Sequence, residues 1–350
     1  MLSGLRCQLR KTIAETRSLS TALLWILPLV VAVPAVSQNS SLADVHVAPR
    51  GMATNRLPAS VGSTLETHTK PLTKDVDLVM IPVTITDEHD KPVLGFTKAQ
   101  FQVYEQGIPQ DIKHLSRLEA PISVAVVIDL SGSMADKLDA SREALAEFVK
   151  TANRQDEFTI ISFADRPELL SDFTSDAETL EGCMAYVIPQ GRTALIDAMY
   201  LAMAKMKEAH HQRRAVLVIS DGADNNSRYT IKEISTALKE ADVQVYAIGI
   251  YDYWLGTEEE YSGPALLHRL ADLSGGHAFT ISSSAQLKPA ATLISDLLRS
   301  QYVLGYTPTN VPKDGKWHDI KVKLLLPKKF SGLHVSAKRG FYSPRPSGHQ

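Results

Sequence analysis

The residues best suited to chemistry are Asp129, Ser131 and Ser133, in the run Asp129-Leu130-Ser131-Gly132-Ser133-Met134. A carboxylate and two hydroxyls at alternate positions can turn their oxygens into one hollow. The run follows residues 122–129 (ISVAVVID), a continuous apolar stretch of the kind that forms a strand buried on both faces. In open α/β sheets, ligands bind where such a strand ends and a helix begins. The following helix would add backbone N–H groups to the same place. Ser and Asp are also ordinary caps at these turns, so the run alone admits both readings. Two further stretches sit at similar junctions. Gly191-Arg192-Thr193-Ala194-Leu195 precedes a helical pattern, and Ser220-Asp221-Gly222 ends the apolar run 215–220 (AVLVIS).

The elements that must position these residues alternate. Strands are predicted at 122–129, 158–163, 215–220, 243–250 and 277–280, with a short edge strand at 169–173. Helical spacing falls between them, at 138–150, 176–187, 194–209, 231–241, 265–273 and 285–300. This alternation predicts an α/β fold, a Rossmann-like doubly wound and mostly parallel sheet with helices on both faces. The flanks have a different texture. Residues 76–85, 101–104 and 112–118 read as strands separated by polar turns, and strand patterns return at 302–306, 317–326 and 333–337. Neither flank is large enough to bury much core alone. We therefore expect one β-sandwich-like unit assembled from both sides of the α/β insert.

Three separated segments in this order resemble the von Willebrand factor type A (VWFA) family over residues 121–300. Its metal ion-dependent adhesion site (MIDAS) uses an Asp-x-Ser-x-Ser loop, a distant Thr and a distant Asp. Residue by residue, the resemblance assigns Asp129, Ser131, Ser133, Thr193 and Asp221 as metal ligands. All five side chains offer oxygen, which suits a hard cation: Mg²⁺, with Mn²⁺ or Ca²⁺ as alternatives. The resemblance implies hydroxyls that bind the ion directly, Asp side chains that can act through water, and an open position filled by a partner's Asp or Glu carboxylate. Arg192 reads either as a rim cation that favours an acidic partner or as a solvated loop charge. Asp224, with Asn225 and Asn226, reads as part of the same rim or as turn formers. The flanking stretches Val83-Thr84-Ile85-Thr86-Asp87, Phe101-Gln102-Val103-Tyr104-Glu105-Gln106-Gly107 and Tyr302-Val303-Leu304-Gly305-Tyr306 resemble those of bacterial VWFA-related exported proteins of the Acidobacteria type.

The first stretch carries an address. Arg6, Arg10, Lys11 and Arg17 precede the apolar residues 21–36, and Ala35 and Ser37 are the small residues before a cut at Gln38. This is the architecture of a secretory signal peptide. The apolar run is short of the ~18–20 residues of a spanning helix, so cleavage is expected, with an uncleaved anchor as the alternative. The expected organisation is a signal peptide at 1–37, a flexible linker at 38–72, a β segment at 73–119, the VWFA domain at 120–300, a β segment at 301–344 and a tail at 345–350.

Other functions lack their residues. A formal net charge of −2 without single-sign runs gives no basis for nucleic-acid capture. There is no H-E-x-x-H, no phosphate loop and no G-x-S-x-G elbow. The motif supplies no base for Ser131 or Ser133 as nucleophiles, so no enzyme is expected. Cys7 and Cys183 are the two cysteines, and Cys183 is expected as a small core residue of a helix. The function expected is an exported, metal-dependent protein-binding or adhesion module. The alternatives are a structural component of an envelope complex, with a metal that mainly stabilises, and an accessory subunit of an enzyme.

Overall fold

The computed structural model describes residues 78–117, 119–251, 258–309, 314–326 and 332–343. The expected leader and tether, at 1–72, and the tail at 345–350 lie outside the described residues. No helix among the described residues is long and apolar enough to cross a membrane.

The described residues begin with four strands, β1 (Val79–Thr86), β2 (Phe101–Glu105), β3 (Ile108–Gln110) and β4 (Ile112–Arg117). The α/β portion follows as β5 (Ile122–Asp129), α1 (Leu138–Lys150), β6 (Glu157–Phe163), β7 (Pro167–Thr174), α2 (Ala177–Met184) and α3 (Leu195–Lys205). It continues through β8 (Arg213–Ser220), α4 (Ile231–Glu240), β9 (Gln244–Ile250), α5 (Glu258–Ser274), β10 (His277–Ile281) and α6 (Leu287–Arg299). Four more strands close the fold: β11 (Tyr302–Tyr306), β12 (Trp317–Leu324), β13 (His334–Ala337) and β14 (Gly340–Tyr342).

The central sheet has the order β10-β9-β8-β5-β6-β7. All its pairs are parallel except β6 with the edge strand β7. Every residue of β5 is buried, as a strand covered on both faces requires. Alternate side chains of β5 point to opposite faces. Val124, Val126 and Ile128 pack with Leu145 and Phe148 of α1, Leu180 of α2 and Ile294 of α6. Ala125 and Val127 pack with Met199 of α3, Ile234 of α4 and Leu270 of α5. The chain builds β5, β6 and β7 outward, then returns to place β8 on the other side of β5. The strand order therefore reverses at the β5–β8 boundary, where open sheets of this kind leave a crevice at their carboxyl edge.

The two β flanks form one sandwich. One four-stranded sheet has the order β13-β1-β11-β4 and the other β14-β12-β2-β3. Each sheet mixes strands from both sides of the insert: β1 pairs with β11 and β13, and β12 pairs with β2. The shared core takes Ile81, Val83 and Val103 from the first flank and Tyr302, Leu304 and Tyr306 from the second. The sandwich meets the α/β portion at the amino ends of the parallel strands. Arg213, at the start of β8, fastens the points where the chain enters and leaves the α/β portion, donating to the carbonyls of Ala120 and Leu298, each at 2.6 Å. Lys338 Nζ donates to the Ala241 carbonyl at 2.8 Å, and His277, at the start of β10, pairs with Asp90 at 3.1 Å. The carboxyl edge is left on the opposite side.

Local features of the elements have physical causes. Residues 132–137 form 3₁₀ turns, and α1 begins at Leu138, where the helical spacing predicts it. The tighter i→i+3 geometry, with Met134 N–H on the Ser131 carbonyl at 3.1 Å, turns the Ser-Gly-Ser loop before a helix can propagate. Strands β3 and β14 span three residues each, too few to show alternation. Cys183 is buried on α2, as expected.

Two outcomes follow. Ile81 of β1 and Leu304 of β11 are cross-strand partners and fully buried. Each truncation to Ala is expected to cost about 2–5 kcal/mol in urea denaturation. The double mutant should depart from additivity by about 0.5–3 kcal/mol; additive losses would contradict the pairing of the flanks. Burial lowers the pKa of His277, and the attraction of Asp90 opposes this without overcoming it. The unfolded chain then binds this proton more readily than the folded one, so stability falls as pH drops below about 6.5. Denaturation curves across that range should show a shallower slope for His277→Gln.

Candidate metal centre at the carboxyl edge

Strand β5 ends in a carboxylate with almost no solvent. Asp129 is 1% exposed. Its Oδ1 accepts the Ser131 N–H at 2.8 Å, and its Oδ2 accepts the Ser220 hydroxyl at 2.6 Å. The Ser220 oxygen in turn accepts the Gly222 N–H at 2.9 Å, which fixes the turn that carries Asp221. Ser131 Oγ lies 3.1 Å from Ser133 Oγ, and Ser133 Oγ donates to the Asp221 carboxylate. Asp129, Ser131, Ser133 and Asp221 thus form one connected polar cluster. It runs from a buried floor, Asp129 and Ser131, to an exposed mouth at Ser133.

The electrostatics of this cluster are those of an anionic hollow. Burial, and then the neighbouring charge of Asp221, push the Asp129 carboxyl up to about 7. The hydrogen bonds from Ser131 and Ser220 pull the other way and do not win. A cation placed among these oxygens would remove the conflict, because an opposite charge favours the ionised carboxylate. Among the described residues no group of three or more His, Cys, Asp or Glu side chains is placed to hold a metal. The donor set here has another composition, two carboxylates with neutral hydroxyls, and its oxygen-only chemistry fits a hard divalent ion.

Thr193 joins the other four through its loop. It is buried, with its N–H on Asn225 Oδ1 at 3.0 Å and its carbonyl accepting the N–H groups of Asn225 and Asn226, both at 3.0 Å. The preceding residues dock on the Asp129 loop. Gln190 N–H donates to the Leu130 carbonyl at 2.8 Å, and Gly132 N–H to the Gly191 carbonyl at 3.1 Å. Asp165, just beyond β6, accepts the Arg192 N–H at 2.9 Å. Gly191 has φ +88°, and a Cβ there would lie 2.8 Å from the Asp165 carboxylate. Only glycine allows both the backbone turn and this approach.

The rim residues separate in role. Arg192 is exposed, and its Nη1 reaches Asn226 Oδ1 at 3.4 Å. Asp224 is half-buried and turned toward α3, where it accepts the Ile196 N–H at 3.3 Å and the Ser227 hydroxyl at 2.6 Å. It serves α3 as a cap from outside the helix, since Ala194 at the N-cap has no side-chain acceptor. Burial pushes the pKa of Asp224 upward against these bonds. Sequence reasoning missed Ser220 and Asp165 as positioning groups, and Asn225, read as a rim residue or turn former, holds the Thr193 loop. Ser220 had one signal, its place beside Asp221 at a strand end. Asp165 had none, because its role depends on which loops the sheet brings together.

Residues 124–223 match the family model of the von Willebrand factor type A domain. An uncharacterized protein of Borreliella burgdorferi is 21% identical over 194 residues, covering 49% of this chain and 57% of its own length. A UPF0353 protein of Mycolicibacterium gilvum is 24% identical over 208 residues, covering 52% of this chain and 62% of its own length. The chain thus spans less than two thirds of these curated relatives. Among solved structures, the conserved hypothetical protein BatB from Bacteroides thetaiotaomicron aligns with a TM-score of 0.41 and 20% identity, over 51% of this chain and 98% of that one. The chain carries a von Willebrand factor type A domain.

The geometry makes Ser220 a bridge between two loops. Ser220→Ala removes a donor to a buried carboxylate and the acceptor for the Gly222 N–H. The expected loss is about 1–3 kcal/mol, read from chemical denaturation without added metal. An unchanged midpoint would mean that the two loops are held otherwise.

Proposed function

We propose that this type A domain is an exported, metal-dependent binding module. Asp129, Ser131, Ser133, Thr193 and Asp221 hold one divalent cation, and the cation engages an Asp or Glu carboxylate of a protein partner. The observation that carries the reading is the convergence of Asp129, Ser131, Ser133 and Asp221 at the strand-order reversal, around a carboxylate whose burial disfavours its own charge.

The residues divide the work. Ser131, Ser133 and Thr193 offer neutral oxygens, so they bind without cancelling the charge of the ion. Asp129 is held by the Ser131 N–H and the Ser220 hydroxyl, and Asp221 accepts the Ala223 N–H at 3.3 Å. Those bonds orient both carboxylates toward the hollow and spread part of their charge. The cation supplies the residual positive charge that attracts an external carboxylate. Mg²⁺ suits the oxygen set and keeps waters that a ligand can replace; Mn²⁺ and Ca²⁺ are tested beside it. Export is the proposal of the N-terminal pattern, a charged start followed by the apolar residues 21–36. The sandwich on the far side of the sheet suits a module that presents the carboxyl edge outward.

A ligand that binds only the folded state raises the thermal midpoint, by about 2.7 kcal/mol of added stability at a hundredfold excess over its Kd. Mg²⁺ is expected to raise the midpoint of the wild-type protein and to leave Asp129→Ala and Asp221→Ala unmoved. Capture of proteins from envelope extract should require Mg²⁺ and fail with EDTA or with Asp129→Ala. Capture indifferent to both would defeat metal-dependent binding. A midpoint that rises while capture stays indifferent would assign the metal to stability alone.

A further inference from the structure

Beside the metal centre lies an apolar surface that the five oxygens do not explain. The segment Tyr186-Val187-Ile188-Pro189-Gln190 connects α2 to Gly191. Ile188 is 74% exposed and Tyr186 54%. Val187 between them points inward and packs on the core. One partly buried side chain is thus flanked by two outward ones.

The exposure does not come from a loose loop. Arg142 of α1 fastens the start of the segment, with Nε on the Met184 carbonyl at 2.9 Å and Nη2 at 3.4 Å from the carbonyls of Ala185 and Val187. Gln190 N–H fastens its end to the Leu130 carbonyl at 2.8 Å, and the Gly191 carbonyl accepts the Gly132 N–H. Ile188 is two residues from Gln190, so its Cα lies no more than about 14 Å from that of Ser131, at ~3.8 Å per residue. Ile188 is therefore carried on a fastened backbone within that reach of the oxygen cluster, with Tyr186 two residues further along the same segment. Covering a side chain on a fastened backbone costs little further ordering, so more of the burial energy reaches the complex.

We propose that residues 186–188 form an apolar lip that selects the partner: a protein segment in which a large apolar residue stands within about four positions of the metal-bound carboxylate. This rests on the metal-binding reading above. Charge and shape support a peptide occupant. The hollow and the exposed Arg192 favour an acidic group, and two outward side chains match one or two partner residues rather than a bilayer.

The test is selection from a random-peptide phage library on the immobilised protein in Mg²⁺, with elution by EDTA. The expected clones carry Asp or Glu with Leu, Ile or Phe within about four positions. A synthetic peptide of the recovered sequence should bind Ile188→Ser about tenfold more weakly, bind Ile188→Met nearly as wild type, and fail to bind Asp129→Ala. Ile188 is exposed, so these substitutions leave the fold intact. Acidic clones without an apolar neighbour, or equal affinity for Ile188→Ser while Asp129→Ala abolishes binding, overturn the lip and leave the metal reading standing. Clones that persist in EDTA or on Asp129→Ala, or no EDTA-eluted clones at all, overturn both. Mg²⁺-dependent capture of phosphatidylglycerol vesicles that is lost in Ile188→Ser, with no acidic-apolar peptide recovered, assigns the lip to lipid and overturns the peptide.

Discussion

A buried carboxylate at the end of the central strand constrains everything around it. Asp129 cannot be solvated, and β5 lies in the middle of a sheet covered on both faces. An isolated ionised carboxylate there would be very costly, and proteins resolve such cases by pairing, hydrogen bonding or neutralisation. The fold supplies the hydrogen bonds from two places, Ser131 on the same loop and Ser220 on the adjacent strand. It then places a second carboxylate, Asp221, next to the first, which aggravates the charge problem instead of relieving it. A fold shaped for stability alone gains nothing from that placement. The divalent ion proposed for this site would relieve it.

The rest of the architecture follows from keeping this edge available. Three loops meet there, after β5, before α3 and after β8, and they hold one another through backbone bonds such as Gly132 to Gly191 and Asn225 to Thr193. Glycine at 191 and 222, both with positive φ, allows the turns and the close approaches. The β-sandwich is joined to the α/β portion at the opposite end, through Lys338 and His277. Because each of its sheets combines strands from both flanks, the two ends of the α/β insert are tied together. The platform is braced at the end of the sheet away from the oxygen cluster.

The sequence made the parallel sheet legible, because strands buried on both faces appear as unbroken apolar runs such as ISVAVVID and AVLVIS. The sandwich was legible from a size argument, since neither flank could hold a core alone. The Asp-x-Ser-x-Ser loop announced itself through spacing, whereas Thr193 and Asp221 needed a family resemblance to join it. What stayed hidden depends on which strands become neighbours. Ser220 reaches Asp129 only because β8 lies beside β5, and Asp165 meets Gly191 only because the loop after β6 faces the loop before α3. The direction of a side chain was equally hidden. Asp224 and Arg192 read alike as rim charges, but the three-dimensional fold turns the carboxylate toward α3 and leaves the guanidinium at the surface.

The composition of the donor set bears on what kind of function this edge can serve. Three of the five oxygens assigned to the ion are hydroxyls, which carry no charge. A site built to retain a metal for structure gains from more anionic ligands, because each one adds attraction to the ion. A site built to recruit a carboxylate gains from fewer, because each internal negative charge weakens the pull on the external one. The arrangement around Asp129 sits nearer the second case. Its two carboxylates also have part of their capacity taken by N–H and hydroxyl donors from their own loops. The charge left on a bound ion would thus be directed outward, toward the mouth at Ser133, where the fastened segment with Tyr186 and Ile188 supplies the nearby surface that distinguishes one acidic partner from another.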